Sequence, residues 1–371
     1  MKTLCIILTI NIFCISSYAQ SKIIHSKYIS YSGFIGKSKI VMDLQYGDNV
    51  VTGIYYYANH GEPILIYEGH YSDTDITLYA RPLIKLETFH GKIDREKKTI
   101  TGTWNIGENE KIVPFNIEQK HAHEFEIDYY SGVYKIKKDT ALLVQVQGLK
   151  FDKLNLQTGI DSINKYSRNP NFELLKGNNG LLSMDEMKPL EVQSNETDKP
   201  TFVDEEMSFV LEDSSLGIDL EQFTWTKFNE IYNWDSNFIA INHFSHEYFG
   251  GHEMNNDMSF TTFDLKTGKP VYIEDCFIKG FNRAFNKLLG QAFEEYENAM
   301  TASDSSYRNY FQSGSDVMLY GDDYYFTSMG IVASYMHKHD LPNPTSFVFI
   351  PYSRLKKYIE PNGPLKWVLN H

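Results

Sequence analysis

The stretch "HEYFGGHE", residues 246–253, holds four side chains able to ligate a metal: His246, Glu247, His252 and Glu253. A zinc hydrolase of the His-Glu-x-x-His kind needs its two imidazoles four residues apart on one helical face. Here His246 and His252 stand six apart, and Gly250-Gly251 between them would break any connecting helix. No complete tetrahedral set with recognisable spacing is visible. The segment reads as a polar loop whose glycines take positive φ. Two further clusters, "HAHE" at His121 to Glu124 and "HKHD" with His337, His339 and Asp340, place imidazoles two residues apart. On a strand such pairs share a face, and a solvated sheet edge is their expected role. No metal, cofactor or catalytic residue is assigned.

Nucleophile motifs do not replace the missing metal. The chain has no Gly-x-Ser-x-Gly elbow and no Gly-x-x-x-x-Gly-Lys-Ser/Thr phosphate loop. Cys276 lies between Asp275 and Phe277 without a catalytic signature and is expected to be a small core hydrophobe. A carboxylate pair for glycoside hydrolysis meets only in the fold, so the 48 acidic residues leave a cell-wall hydrolase as the least favoured alternative.

The first residues, "MKTLCIILTINIFCISSYAQ", combine Lys2, an apolar run from Leu4 to Ile15 and a small-x-small site at Ser17-Tyr18-Ala19. That pattern is an export signal cleaved after residue 19. The run is interrupted by Thr9 and Asn11 and falls short of the roughly 20 apolar residues a membrane span needs. Cleavage removes Cys5 and Cys14, leaves Cys276 alone without a disulfide partner, and predicts a periplasmic or secreted protein with no membrane span. The net charge of -13 becomes one unit more negative when Lys2 is lost. An acidic surface repels nucleic acid and draws basic partners at long range.

Short β-type runs with close turn signals fill the region up to about residue 120. Tyr55 and Tyr57, Ile64 and Ile66, and Trp104 and Ile106 fall at period two. Residues 20–120 are therefore expected to form an N-terminal antiparallel β domain, a meander or small barrel. Polar residues in "IEQKHAHEFEIDYYSG" set a boundary near 120, and "LEQFTWTKFNEIYNWD" admits a short helix. The strongest helical signal is downstream. Phe281, Phe285, Leu288, Leu289, Ala292, Phe293, Tyr296 and Met300 form one apolar stripe near a 3.6-residue period.

From residue 225 to 360 the order of elements is informative: Gly250-Gly251-His252, the "FDLKTGK" hairpin Phe263–Lys269, Glu274-Asp275 with Phe277, the amphipathic helix, Tyr325-Phe326-Thr327 with Gly330, and Ile350-Pro351-Tyr352-Ser353 with Leu355. This stretch resembles the extracellular domain of the lysozyme-sensing anti-sigma factor family typified by RsiV, and the accessory domain of peptidoglycan deacetylases of the PdaC type. The resemblance implies that residues 121–371 form an α+β domain, with one long amphipathic helix packed on an antiparallel sheet, so the whole chain is expected to be α+β. It also implies a binding role with a lysozyme-like muramidase as partner. The contacts would come from His246, Tyr248, Phe249, Gly250, Gly251 and His252 in one loop and His337, His339 and Asp340 in another. The competing expectation is a glycan or peptidoglycan-binding module that stacks sugars on Trp225, Tyr232, Trp234, Tyr248 and Phe249.

Overall fold

Alternation fixes the first sheet. Ile40, Met42, Leu44 and Tyr46 are buried at every second position of β2 (Ser38–Tyr46), so one face of the strand lies in a core. The computed structural model describes residues 19–80, 86–107, 112–137, 140–151, 159–167, 210–213, 218–248, 255–303, 324–336 and 345–370. Around β2 stand β1 (Ala19–Ile35), β3 (Val51–Tyr57), β4 (Ile64–Tyr71), β5 (Asp75–Ala80), β6 (Glu87–Asp94), β7 (Thr99–Ile106) and β8 (Val113–Lys137). Each pairs antiparallel with the next, and β8 returns to pair with β1, closing an eight-stranded ring. Eight strands leave an interior that side chains can fill. Tyr55, Phe89 and Phe115 do so edge to face, with centroids 5.3 and 5.4 Å apart.

The expected α+β class is corrected by what β8 does next. It runs on through residue 120, and its second half pairs with β9 (Thr140–Phe151). Strand β9 lies parallel to β11 (Ile218–Trp234), which is followed by β12 (Phe238–Tyr248) and β13 (Asn255–Asp264), with β10 (Val210–Asp213) beside the start of β11. Barrel and C-terminal strands are thus one 13-stranded mixed sheet, and the protein is mostly β. The polar letters of "HAHEFEI" concealed this continuity, because Phe125 and Ile127 alternate with exposed or half-buried acids and still reach a core. The short helix admitted around residues 220–235 is likewise replaced by β11. Its side chains are buried on both faces, so the period-two signal that would have marked a strand is absent.

Helices are few. They are α1 (Ile160–Ser167), α2 (Ile273–Cys276), α3 (Asn282–Ser303) and α4 (Tyr352–Leu355). The apolar stripe of α3 does form, and it packs into a side layer that adjoins the main sheet at Phe238. Phe281, Phe285, Leu289 and Ala292 share a core with Phe326, Ile331, Ala333, Val348 and Ile350 of a separate three-stranded sheet, β14 (Tyr324–Phe326), β15 (Gly330–Met336) and β16 (Thr345–Pro351). Burying each large ring or Leu there is worth roughly 1.5–3 kcal/mol as an upper bound. Cys276 is fully buried in the same core. Among the described residues no helix is long and apolar enough to cross a membrane.

The outward face of β2 carries Asp43 and Gln45, both buried, because the C-terminal half packs on it. Gln45 Oε1 accepts the Ile231 N–H at 3.2 Å, and the Tyr28 hydroxyl oxygen accepts the Trp234 N–H at 3.1 Å. The barrel is therefore docked through its outer wall onto β11.

Candidate functional site

Two hairpins leave one aromatic layer in the same direction. The first is β12–β13, and its entry is set by Asp235, whose Oδ1 accepts the N–H groups of Asn237 and Phe238 at 2.7 and 2.9 Å. The first five residues of β12 are buried, the next five half-buried, and Tyr248 at its end is buried again. The second hairpin is β15–β16. Between the sheets, Phe260 on β13 meets Tyr325 at 4.9 Å and Phe347 at 6.1 Å, and Tyr232 meets Phe260 at 5.1 Å. The Thr262 hydroxyl accepts the Phe326 N–H at 3.2 Å. Moving from Thr262 to Phe260 along β13 corresponds to moving from the Phe326–Ile331 pairing to Phe347 in the small sheet. The strand ends Tyr248 and Asn255, and Met336 and Thr345, consequently lie at one shared end.

At that end His246 pairs in register with Thr226 and Asn256, and Tyr248 with Thr224. Tyr248 is buried at 6% exposure. Phe249, Gly250, Gly251 and His252, which join β12 to β13, lie outside the described residues, as do His337, His339 and Asp340, which join β15 to β16. The rings considered for sugar stacking are mostly inside: Trp225 and Trp234 are 6% and 2% exposed. Trp225 Nε1 donates to Glu247 Oε1 at 3.1 Å, and the Lys227 ammonium sits 5.2 Å from the Trp225 ring centre. Trp234 stacks on His123 at 4.3 Å, so this imidazole of the "HAHE" pair belongs to the barrel joint and not to a solvated edge. Burial lowers its pKa, with the neighbouring His121 adding to the effect.

Three polar residues at the middle of β11 and β12 escaped the sequence reading. Glu230 and Asn242 are register partners on β11 and β12. Burial raises the carboxyl pKa of Glu230, and a hydrogen bond with Asn242 moderates the shift. Asn242 Oδ1 is buried without a hydrogen-bond partner among the described residues. His243 Nδ1 is 2.9 Å from Asn229 Oδ1, and burial pushes its pKa down to about 4, so the ring is neutral at pH 7. Strand alternation puts Glu230 and His243 on opposite faces of the sheet, so the two groups do not act on one substrate. Polar letters inside the apolar run "NFIAINHF" were the signal that could have found Asn242 and His243, since buried polar groups in a strand need an explanation. Among the described residues no three His, Cys, Asp or Glu side chains gather as a metal site.

No protein-family model matches the chain, and no curated protein matches it. Among solved structures it is similar to a DUF3298 family protein from Pseudomonas aeruginosa PAO1, with a TM-score of 0.42 and 16% identity over 64% of this chain and 94% of that one. It is also similar to a member of the same family from Bacteroides fragilis NCTC 9343, with a TM-score of 0.41 and 14% identity over 64% of this chain and 94% of that one.

Proposed function

We propose that this protein is an exported bacterial binding protein, acting in the periplasm or outside the cell, that grips a basic protein partner at the shared end of its two hairpins. A lysozyme-like muramidase is the concrete candidate. The single observation that carries the reading is the common direction of β12–β13 and β15–β16 from one aromatic layer, which gives two adjacent strand-ended projections on a rigid base. The net charge of -13 supports it, because an acidic binder gains on-rate toward a basic partner through steering. Recognition and not chemistry is the proposed role: Glu230 and His243, the acid and imidazole shifted by burial at the middle of β11 and β12, stand on opposite faces of the sheet.

The test is capture of basic lysozyme by the immobilised full chain at low and moderate salt, with insoluble peptidoglycan and a muramidase assay run in parallel. Expected is salt-sensitive capture that is lost when residues 249–254 or 337–344 are each replaced by a glycine-serine linker of equal length. Retention on peptidoglycan without lysozyme capture would transfer the reading to a glycan module. Intrinsic cell-wall hydrolysis would overturn it.

A further inference from the structure

Two of the cationic, acid-free stretches in this acidic chain are laid one against the other by the fold. Residues 279–291 carry Lys279, Arg283 and Lys287, and residues 352–358 carry Arg354, Lys356 and Lys357. The first opens α3, and the second is α4 with the 3-10 turn that follows it. They are tied at both ends. Phe281 meets the Tyr358 ring at 5.3 Å with the Ile278 N–H on the Tyr358 carbonyl at 2.9 Å, while Arg354 Nη2 donates to both Glu295 oxygens at 2.9 and 3.0 Å. Between these ties lies an open groove of about 660 Å³ lined by Leu288, Gln291, Ser353, Arg354, Lys356 and Lys357.

We propose that this groove is a second recognition surface and that its occupant is an acidic peptide segment of a partner protein. Glu295 answers Arg354, so the guanidinium that would best suit a phosphate is already engaged. What remains for a ligand is ammonium charge. Lys356 has no ion pair among the described residues, and Lys357 rests over the Tyr358 ring, 4.8 Å from its centre. Lys287 flanks the groove one helical turn before Gln291. The Ser353 hydroxyl and the Gln291 amide can bond to peptide N–H and C=O groups, and the half-buried Leu288 offers an apolar seat beside the charges. That mixture suits carboxylates interleaved with apolar side chains. A polyanionic glycan or polyphosphate would match the charges and leave Leu288 uncovered.

The groove is independent of the hairpin ends, and the experiment separates the two. Fluorescence anisotropy would follow a fluorescein-labelled hexapeptide of alternating glutamate and leucine titrated with the full chain. The pair Lys356→Glu with Lys357→Glu is expected to weaken binding at least about tenfold. Gln291→Glu should weaken it several-fold, and the charge-matched pair Lys37→Glu with Lys39→Glu on the barrel should change it by less than about twofold. Thermal melts confirm that each variant folds, and lysozyme capture is expected to be unchanged in all of them. Absence of peptide binding, an equal loss in the barrel pair, or binding of heparin and polyphosphate in place of the peptide would each overturn the proposal.

Discussion

The backbone N–H of Trp234 donates to the Tyr28 hydroxyl oxygen at 3.1 Å, joining the first strand of the barrel to the end of β11 across 206 residues of chain. Both residues are buried, at 1% and 2% exposure, so no water replaces the bond when it is removed. Tyr28→Phe keeps the ring and leaves the Trp234 N–H unpaired. It should destabilise the fold by about 1–3 kcal/mol. Urea denaturation followed by tryptophan fluorescence checks this, and a loss below about 0.5 kcal/mol would mean the joint does not depend on the bond.

The same joint makes stability fall as pH rises. Burial, opposed by a hydrogen bond with Ser30 and reinforced by the charge of Asp235, raises the pKa of Asp43 from 3.8 to about 7. Asp235 shifts in the same direction, chiefly through burial. Tyr28 on β1 and Tyr56 on β3 are the other titratable groups that face Asp43, and burial also keeps them protonated. Between about pH 4 and 7 the folded chain therefore binds more protons than the unfolded chain. Stability is fully present below the unfolded pKa and is lost as pH climbs through the folded one, by at most roughly 1.4 kcal/mol per pH unit for each group. Asp43→Asn should flatten that slope in denaturation series at pH 5, 6, 7 and 8. An unchanged slope would assign the effect to another group.

Legibility followed solvent contrast. Ile40, Met42 and Leu44 alternate with neighbours outside the barrel core, and the stripe of α3 has a polar back, so both elements announced their period. Asp43, Gln45, Thr226 and Asn229 are polar yet buried, and no periodicity rule separates a docked polar face from a wet one. For that reason the barrel wall looked solvent-facing and the two halves looked separate. At the shared hairpin end, His246 and Tyr248 were reached through motif order, whereas Glu230 and His243, at mid-strand, were missed as single polar letters in strand-like runs. Their environment comes from pairing across β11 and β12, which are joined by the Asp235 turn and whose register is invisible in one sequence.

Inside the barrel, Glu87 is buried at 3% exposure and accepts from the Tyr55 hydroxyl and, at 3.1 Å, from Trp104 Nε1. Burial raises its pKa, and these two donors hold the shift in check. Tyr55→Phe removes the closer donor and should cost about 1–3 kcal/mol. Glu87→Gln should be destabilising too, and the double variant less so than the sum, because both single changes act on the same Tyr55–Glu87 hydrogen bond. Additive losses in a double-mutant cycle would show that the carboxylate is satisfied elsewhere.

Cys276 is fully buried, and burial pushes its thiol pKa up, with Asp275 and Glu274 adding to the shift. The native chain should be inert to a thiol reagent at pH 8, where an exposed cysteine near its usual pKa reacts readily. In denaturant the count reads the N-terminus: one thiol per chain if residues 1–19 have been removed, three if they remain. One is expected.

The turn at Lys266-Thr267-Gly268-Lys269 places two glycines back to back. A Cβ on Gly268 would stand 2.2 Å from the Gly159 Cα, and the converse holds for Gly159. Both residues have positive φ, +67 and +77, and Asp264 Oδ1 fixes the turn by accepting the N–H groups of Lys266 and Thr267 at 2.8 Å each. Gly268→Ala therefore meets a left-handed backbone worth roughly 1–2 kcal/mol and a backbone collision besides. Loss of more than about 2 kcal/mol is expected, against less than about 0.5 for Lys269→Ala at the exposed neighbouring position. Because Gly159→Ala pushes on the same contact from the other side, the double alanine variant should lose less than the two singles together. A fully additive loss would mean that each glycine is needed only for its own φ.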